Sequence, residues 1–328
     1  MKFRTLYPTG TSRAAGQLVR GRATIHYEEF GRADGVPALF LHGGPGAGCF
    51  PRHASFFDPS HYRVLLLDQR GCGRSTPRGD LDQDTATLVA DLEALREHLS
   101  LSNWGVVLGG SWGTTLALAY AQAHPTRVRT LVLRGVFLFG MDEVEYLFCN
   151  GGTYGQHPQA WDRYKAYIRD TSSNWERERT NLLGAYWARL MSDDAATRAA
   201  AAAAFVGYEL SISKTFVDPA VITEYMGNPK ILIPFAVMEV HYMLHGGWLR
   251  RGQLLDGAAG MAAHGHRVAI CHGRADYVCQ PQAAWRLAQA LRAHGVEVEL
   301  EMVAGAGHSD SEPGLVDAMV RATDRFKL

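Results

Sequence analysis

The chain has 328 residues, of which 47% are hydrophobic and 20% charged, a balance that buries a sizeable core and excludes a disordered chain. Its 33 basic side chains are matched by 33 acidic ones, which removes the electrostatic footprint of a nucleic-acid or anionic-membrane partner. Selectivity for a charged ligand must then come from a local site.

At the N-terminus, Met1-Lys2-Phe3-Arg4 leads into polar and turn residues instead of the apolar run of a secretory signal. The most apolar stretches, Leu131–Gly140 and Ile231–Met238, are too short for a membrane span, and the second contains Pro234. Cys49, Cys72, Cys149, Cys271 and Cys279 are an odd set with no CxxC pair. They read as free thiols of a cytoplasmic protein and not as disulfides or a zinc cluster. No metal or organic cofactor is indicated, and the sequence is silent on oligomeric state.

Along the chain, Gln17–Tyr27 reads as an antiparallel ribbon. Ala38–Leu41, Arg63–Asp68, Gly105–Leu108, Val128–Leu133, Arg267–Cys271 and Val296–Val303 read as short strands, several of them wholly apolar, as central strands of a parallel sheet are. Thr85–Leu99 sets Leu88, Leu92, Leu95 and Leu99 on one stripe, which predicts an amphipathic helix. This alternation predicts an α/β core over 1–140 and 261–328, a mostly parallel sheet with helices on both faces. The intervening 141–260 is rich in Trp, Tyr, Arg and Ala, and Asp193–Phe205 is a strong helix former. It predicts an inserted helical cap, placed as a lid over a pocket.

Trp104–Leu108 runs into Gly109-Gly110-Ser111-Trp112-Gly113 and then into the helical pattern from Thr114 to Tyr120. Strand, G-x-S-x-G and helix in that order hold a serine on a strained turn, its Oγ projecting from the sheet edge, while the glycines let strand and helix pass closely. A serine is a weak nucleophile without a base and an orienting acid, which follow it in the order acid, then histidine. His308 stands just after the last strand and Asp276 just after the strand before it, both at the edge that carries Ser111. Asp142 and Glu143 are rival acids. His42-Gly43-Gly44-Pro45-Gly46 follows the strand Ala38–Leu41 and supplies a bare backbone loop. The backbone N–H groups of Gly44 and Trp112 are the candidate oxyanion donors. The charged residues of Asp68-Gln69-Arg70-Gly71-Cys72-Gly73-Arg74-Ser75 are expected to brace loops.

His42–Gly46, Asp68–Ser75, Gly109–Gly113, Arg134-Gly135-Val136-Phe137, His272-Gly273-Arg274-Ala275-Asp276 and Gly307-His308-Ser309 together resemble the proline iminopeptidases, serine peptidases of the α/β-hydrolase fold. The resemblance covers nearly the whole chain and is weakest in the cap, where Tyr208 stands at a position often held by Trp. It implies release of an N-terminal proline from a small peptide, with Ser111, Asp276 and His308 as the triad. It also implies that Glu209 and Glu239 bind the cationic imino terminus, and that Phe137 and Tyr242 wall a proline-sized pocket. A carboxylesterase or amidase of the same fold, and a non-catalytic binding protein, are the alternative readings of the residues.

Overall fold

The computed structural model describes residues 3–216 and 228–327. Eight strands form one sheet: β1 (Ala14–Arg20), β2 (Ala23–Gly31), β3 (Val36–Leu41), β4 (Tyr62–Leu67), β5 (Trp104–Gly110), β6 (Val128–Arg134), β7 (Arg267–Gly273) and β8 (Glu297–Val303). Their order is β1-β2-β4-β3-β5-β6-β7-β8. The pairs β1/β2 and β2/β4 are antiparallel and the rest are parallel. The predicted ribbon is longer than 17–27 because Gly21, at φ +63°, closes a tight turn between two full strands.

The parallel strands are apolar on both sides because both faces are covered. Leu39, Leu41, Val107, Leu131 and Leu133 pack into one core layer with α1 (Thr85–His98) and α2 (Trp112–Ala123). Ala38, Phe40, Val106, Leu108, Val132, Ala269 and Cys271 pack into the other. Each fully buried Leu or Val contributes about 1.5–3 kcal/mol. α1 begins where expected, with the Asp84 carboxylate accepting the Thr87 N–H at 2.7 Å as its N-cap. β5 is buried at all seven positions and runs straight into the turn that carries Ser111.

Between β6 and β7 every described element is helical: α3 (Met141–Phe148), α4 (Pro158–Thr171), α5 (Trp175–Glu178), α6 (Leu182–Leu190), α7 (Ala195–Ile212), α8 (Pro229–Leu244), α9 (Gln253–Asp256) and α10 (Ala258–Ala263), with short 3₁₀ turns. After β7 come α11 (Pro281–Ala293), β8 and α12 (Pro313–Arg325). α7 starts at the Asp194 cap and runs seven residues past the expected Phe205. Gly207 does not stop it, because Val206, Tyr208 and Ile212 bury their side chains against the neighbouring helices. That extension sets Glu209 on a helix. Residue 260 falls inside α10, and α9 and α10 lie against α2 and α11, helices that cover the sheet. Among the described residues no helix is long and apolar enough to cross a membrane.

Candidate active site

Ser111 has φ 56° and ψ −126°, a strained conformation for a residue with a side chain. The tightness of the elbow explains its glycines. A Cβ on Gly109 would lie 2.2 Å from the Gly113 carbonyl oxygen, and one on Gly113 would lie 2.1 Å from that of Leu41. The Ser111 N–H donates to the Arg134 carbonyl at 2.8 Å, which ties the elbow to the end of β6. Ser111 is buried to 8% exposure yet lines a cavity of about 250 Å³ with Gly43, Gly44, Arg134, Glu209 and His308.

The loop opposite the serine is braced from behind. The Trp112 indole N–H donates to Gln69 Oε1 at 2.8 Å, and Gln69 Nε2 donates to the His42 carbonyl at 2.9 Å. The Gln69 N–H donates to His42 Nε2 at 3.1 Å. His42 Nδ1 then carries the proton and donates to the Gly43 carbonyl at 2.9 Å. Burial holds His42 down to about 4, so it stays neutral. These bonds hold Gly43 against Ser111, where an added Cβ would come within 3.1 Å of the serine Cβ. The Asp68–Ser75 loop does brace: Asp68 accepts from the N–H of Cys49 at 2.6 Å, the N–H of Arg74 at 3.0 Å and Arg74 Nε at 2.7 Å.

His308 and Asp276 meet as expected, Nδ1 to Oδ2 at 2.8 Å. Asp276 Oδ1 accepts the N–H groups of Val278 at 3.0 Å and Cys279 at 2.8 Å. Burial pushes this carboxyl up, but His308, His272 and the Cys279 N–H outweigh it and hold the group below its ordinary value. Gly135 lies beneath the pair at φ +60°, and a Cβ there would stand 2.9 Å from His308 Cε1. The rival acids are placed otherwise. Asp142 is exposed and faces Arg286 at 3.4 Å, while Glu143 accepts the Gly140 N–H at 2.8 Å.

Two further side chains lie beside His308 and Ser111. Arg134 Nη1 donates to His308 Nε2 at 3.1 Å and to the His308 carbonyl at 2.8 Å. Ser111 Oγ lies 3.9 Å from Cys279 Sγ. Among the described residues Ser111 and His308 thus share the cavity without a direct hydrogen bond. Burial pushes the Cys279 thiol well up, so it stays protonated and inert. The sequence signals for Arg134 are its position at the end of β6 and its place in the Arg134-Gly135-Val136-Phe137 stretch of the family resemblance.

Glu209 lines the cavity and Glu239 lies buried behind it; their carboxyls hydrogen-bond to one another. Each keeps an Oε2 with no partner among the described residues. Burial pushes both up, and for Glu239 the facing Glu209 adds to the effect. Phe137 and Tyr242 are placed differently from the expectation, since neither is among the cavity-lining residues. Phe137 packs on Phe139 with ring centroids 4.6 Å apart. Tyr242 packs on Trp112 at 4.9 Å and donates to Gln83 Oε1 at 3.3 Å. Both rings are buried in the hydrophobic core, Phe137 against Phe139 and Tyr242 against Trp112. Among the described residues no cluster of His, Cys, Asp and Glu has metal-binding geometry.

Sheet, elbow and insertion define an α/β hydrolase, and the family model described as the alpha/beta hydrolase fold matches residues 37–315. Solved structures share the fold alone: a putative lipase from Acinetobacter baumannii superposes with TM-score 0.61 at 15% identity, covering 95% of this chain and 89% of that one. An esterase from Exiguobacterium antarcticum superposes with TM-score 0.58 at 20% identity, covering 93% and 96%. Sequence relatives are nearer. The proline iminopeptidase of Xylella fastidiosa (strain 9a5c) is 43% identical over 327 residues, 99% of this chain and 100% of that protein. A probable proline iminopeptidase of Leptolyngbya boryana is 40% identical, covering 99% and 97%. The proline iminopeptidase of Arabidopsis thaliana is 39% identical, covering 99% and 82%. The chain belongs to the proline iminopeptidase family.

Proposed function

We propose that this chain is a serine exopeptidase that releases N-terminal proline from small peptides in the cytoplasm, where its five free cysteines fit a reducing environment. The observation that carries this reading is the Glu209–Glu239 pair, Glu209 on the cavity wall of a serine elbow and Glu239 buried behind it, each with an oxygen unpartnered among the described residues. Sharing one proton, the pair holds a single negative charge. A cationic imino terminus supplies the opposite charge and the N–H donors, in surroundings where such bonds are strong. An internal peptide bond brings neither.

In this reading α3–α8 act as the cap that closes over the first residue. Ser111 Oγ turns from Cys279 and attacks the first carbonyl carbon, giving its proton to His308 Nε2, which Arg134 yields. His308 Nδ1–H stays on Asp276, which fixes the tautomer and steadies the imidazolium. The N–H groups of Gly44 and Trp112 receive the oxyanion, each donor contributing about 3 kcal/mol. His308 passes the proton to the departing amine, and water then releases proline by the same steps. The test is turnover of a proline arylamide. The wild type cleaves it with the imino group free and poorly when it is acylated, and Ser111→Ala loses about 10⁶ in kcat. Equal turnover of free and acylated substrate overturns the exopeptidase reading.

A further inference from the structure

Part of the cavity wall is left unused by the proposed reaction: Arg52, Lys214, Ser309 and Asp310 line it together with Ser111 and Glu209. Lys214 lies just past the end of α7, in a turn docked on the loop that carries the histidine. The Ser213 carbonyl accepts the N–H of His308 at 3.0 Å and of Ser309 at 2.8 Å, and the Thr215 N–H donates to Glu312 Oε1 at 2.7 Å. Lys214 is therefore pinned on both sides, next to the residue that hands a proton to the leaving group.

The carboxylates nearby are already committed. Asp310 takes Arg52 Nη2 at 2.6 Å and His53 Nε2 at 3.5 Å. Glu312 takes the Thr215 N–H, the Thr215 hydroxyl at 3.0 Å and the Gly307 N–H at 3.4 Å. Lys214 has no ion pair among the described residues. Arg52 spends one Nη on Asp310, and its other N–H groups make no hydrogen bond among the described residues. The cavity wall thus offers a carboxyl, Glu209, and cationic N–H donors, Lys214 and Arg52.

Glu209 stands in the last turn of α7 and Lys214 two residues past its end, and both line the cavity that holds Ser111, so one short peptide can meet all three. An extended dipeptide spans roughly 7 Å from its amine to its carboxylate. We infer that Lys214, with Arg52 beside it, receives the terminal carboxylate of the departing residue, so that the preferred substrates are dipeptides with a free C-terminus. This rests on the exopeptidase reading of the same site.

The experiment compares Pro-Gly, Pro-Gly-amide, Pro-Gly-Gly and a proline arylamide on the wild type, Lys214→Met and Lys214→Arg. In the wild type, kcat/KM for Pro-Gly exceeds that for Pro-Gly-amide by about 5- to 20-fold, a charge-assisted contact's worth, and Pro-Gly-Gly falls toward the amide. Lys214→Met brings the acid-to-amide ratio to about one, while Lys214→Arg keeps most of it. Equal use of acid and amide by the wild type, or an unchanged ratio in Lys214→Met, overturns the carboxylate site while arylamide turnover leaves the exopeptidase standing. A wild type inert on the arylamide overturns the exopeptidase and the carboxylate site with it.

Discussion

Buried carboxyls stand at two regions of this active site, and the fold treats them in opposite ways. At the sheet edge Asp276 is supplied with donors on both oxygens, by His308 on one and by the Val278 and Cys279 N–H groups on the other, so it stays ionised despite burial. On the helices α7 and α8, Glu209 and Glu239 each keep an Oε2 with no partner among the described residues, and burial pushes both carboxyls up. A satisfied carboxylate is a fixed part of the machinery. An under-satisfied pair of acceptors is completed by the molecule it binds. In the proposed reading the sheet edge makes the bond-making step and the helices recognise the substrate, and each can be broken separately.

The sheet side gives the larger effect. Asp276→Asn keeps an acceptor for the Val278 and Cys279 N–H groups but offers His308 Nδ1 an amide, which favours the wrong tautomer. Steady-state kinetics on a proline arylamide should show kcat lower by about 10⁴ with KM little changed. A loss confined to KM would move Asp276 from the reaction to binding and erase the distinction between the two regions.

On the helical side, Glu209→Gln or Glu239→Gln should lower kcat/KM for the free-imino arylamide by about 10²-fold, the worth of a charge-assisted contact in a dry site. An ester of N-acylated proline, which has no cation, should lose less than about threefold, since it makes no such contact. Equal losses on both substrates would make the carboxyls structural and leave exopeptidase selectivity to the shape of the cap.

The same division governs what could be read from the sequence. The sheet, the elbow and the acid and base positions depend on local pattern: apolar runs, glycines where a Cβ would collide with a carbonyl, and residues directly after strands. The Arg134 contact with His308 joins residues 174 apart, and no local pattern encodes it. Nor does one encode the turn after α7 that docks on the histidine loop. In the insertion, Glu209 and Glu239 drew attention through family resemblance, and α7 ran past Gly207 because packing outweighs one poor helix former. The resemblance points to Phe137 and Tyr242 as pocket walls, yet an aromatic beside a site is placed by the rings it packs on, Phe139 for Phe137 and Trp112 for Tyr242.

The smallest effect is on stability, and its sign separates the two regions. Glu239 is raised above its ordinary 4.5 in the fold. Its stabilising contribution is fully present below about 4.5 and is lost as pH climbs through the folded value. Asp276 is lowered below its ordinary 3.8, so its contribution is present above that value and is lost as pH falls through the folded one. Glu143, pushed up to about 7 by burial, acts in the same direction as Glu239. Above about pH 6.5, where histidines held low by burial such as His42 and His272 are neutral in the folded and unfolded chain alike, the free protein's Tm should therefore decline up to about pH 8. Glu239→Gln, which removes one of the pair's two acids and leaves Glu209 and Glu143, should flatten that decline by a few degrees, roughly 2–4 °C for every tenfold change in the carboxyl's proton affinity between folded and unfolded chain. Saturating prolinamide, whose cation favours the ionised pair, should raise Tm more at the alkaline end of that range than at the acid end in the wild type and not in the variant. Differential scanning fluorimetry measures both slopes. Identical slopes for wild type and Glu239→Gln would mean that the pair does not hold a proton in the fold, and the contrast with Asp276 would fail.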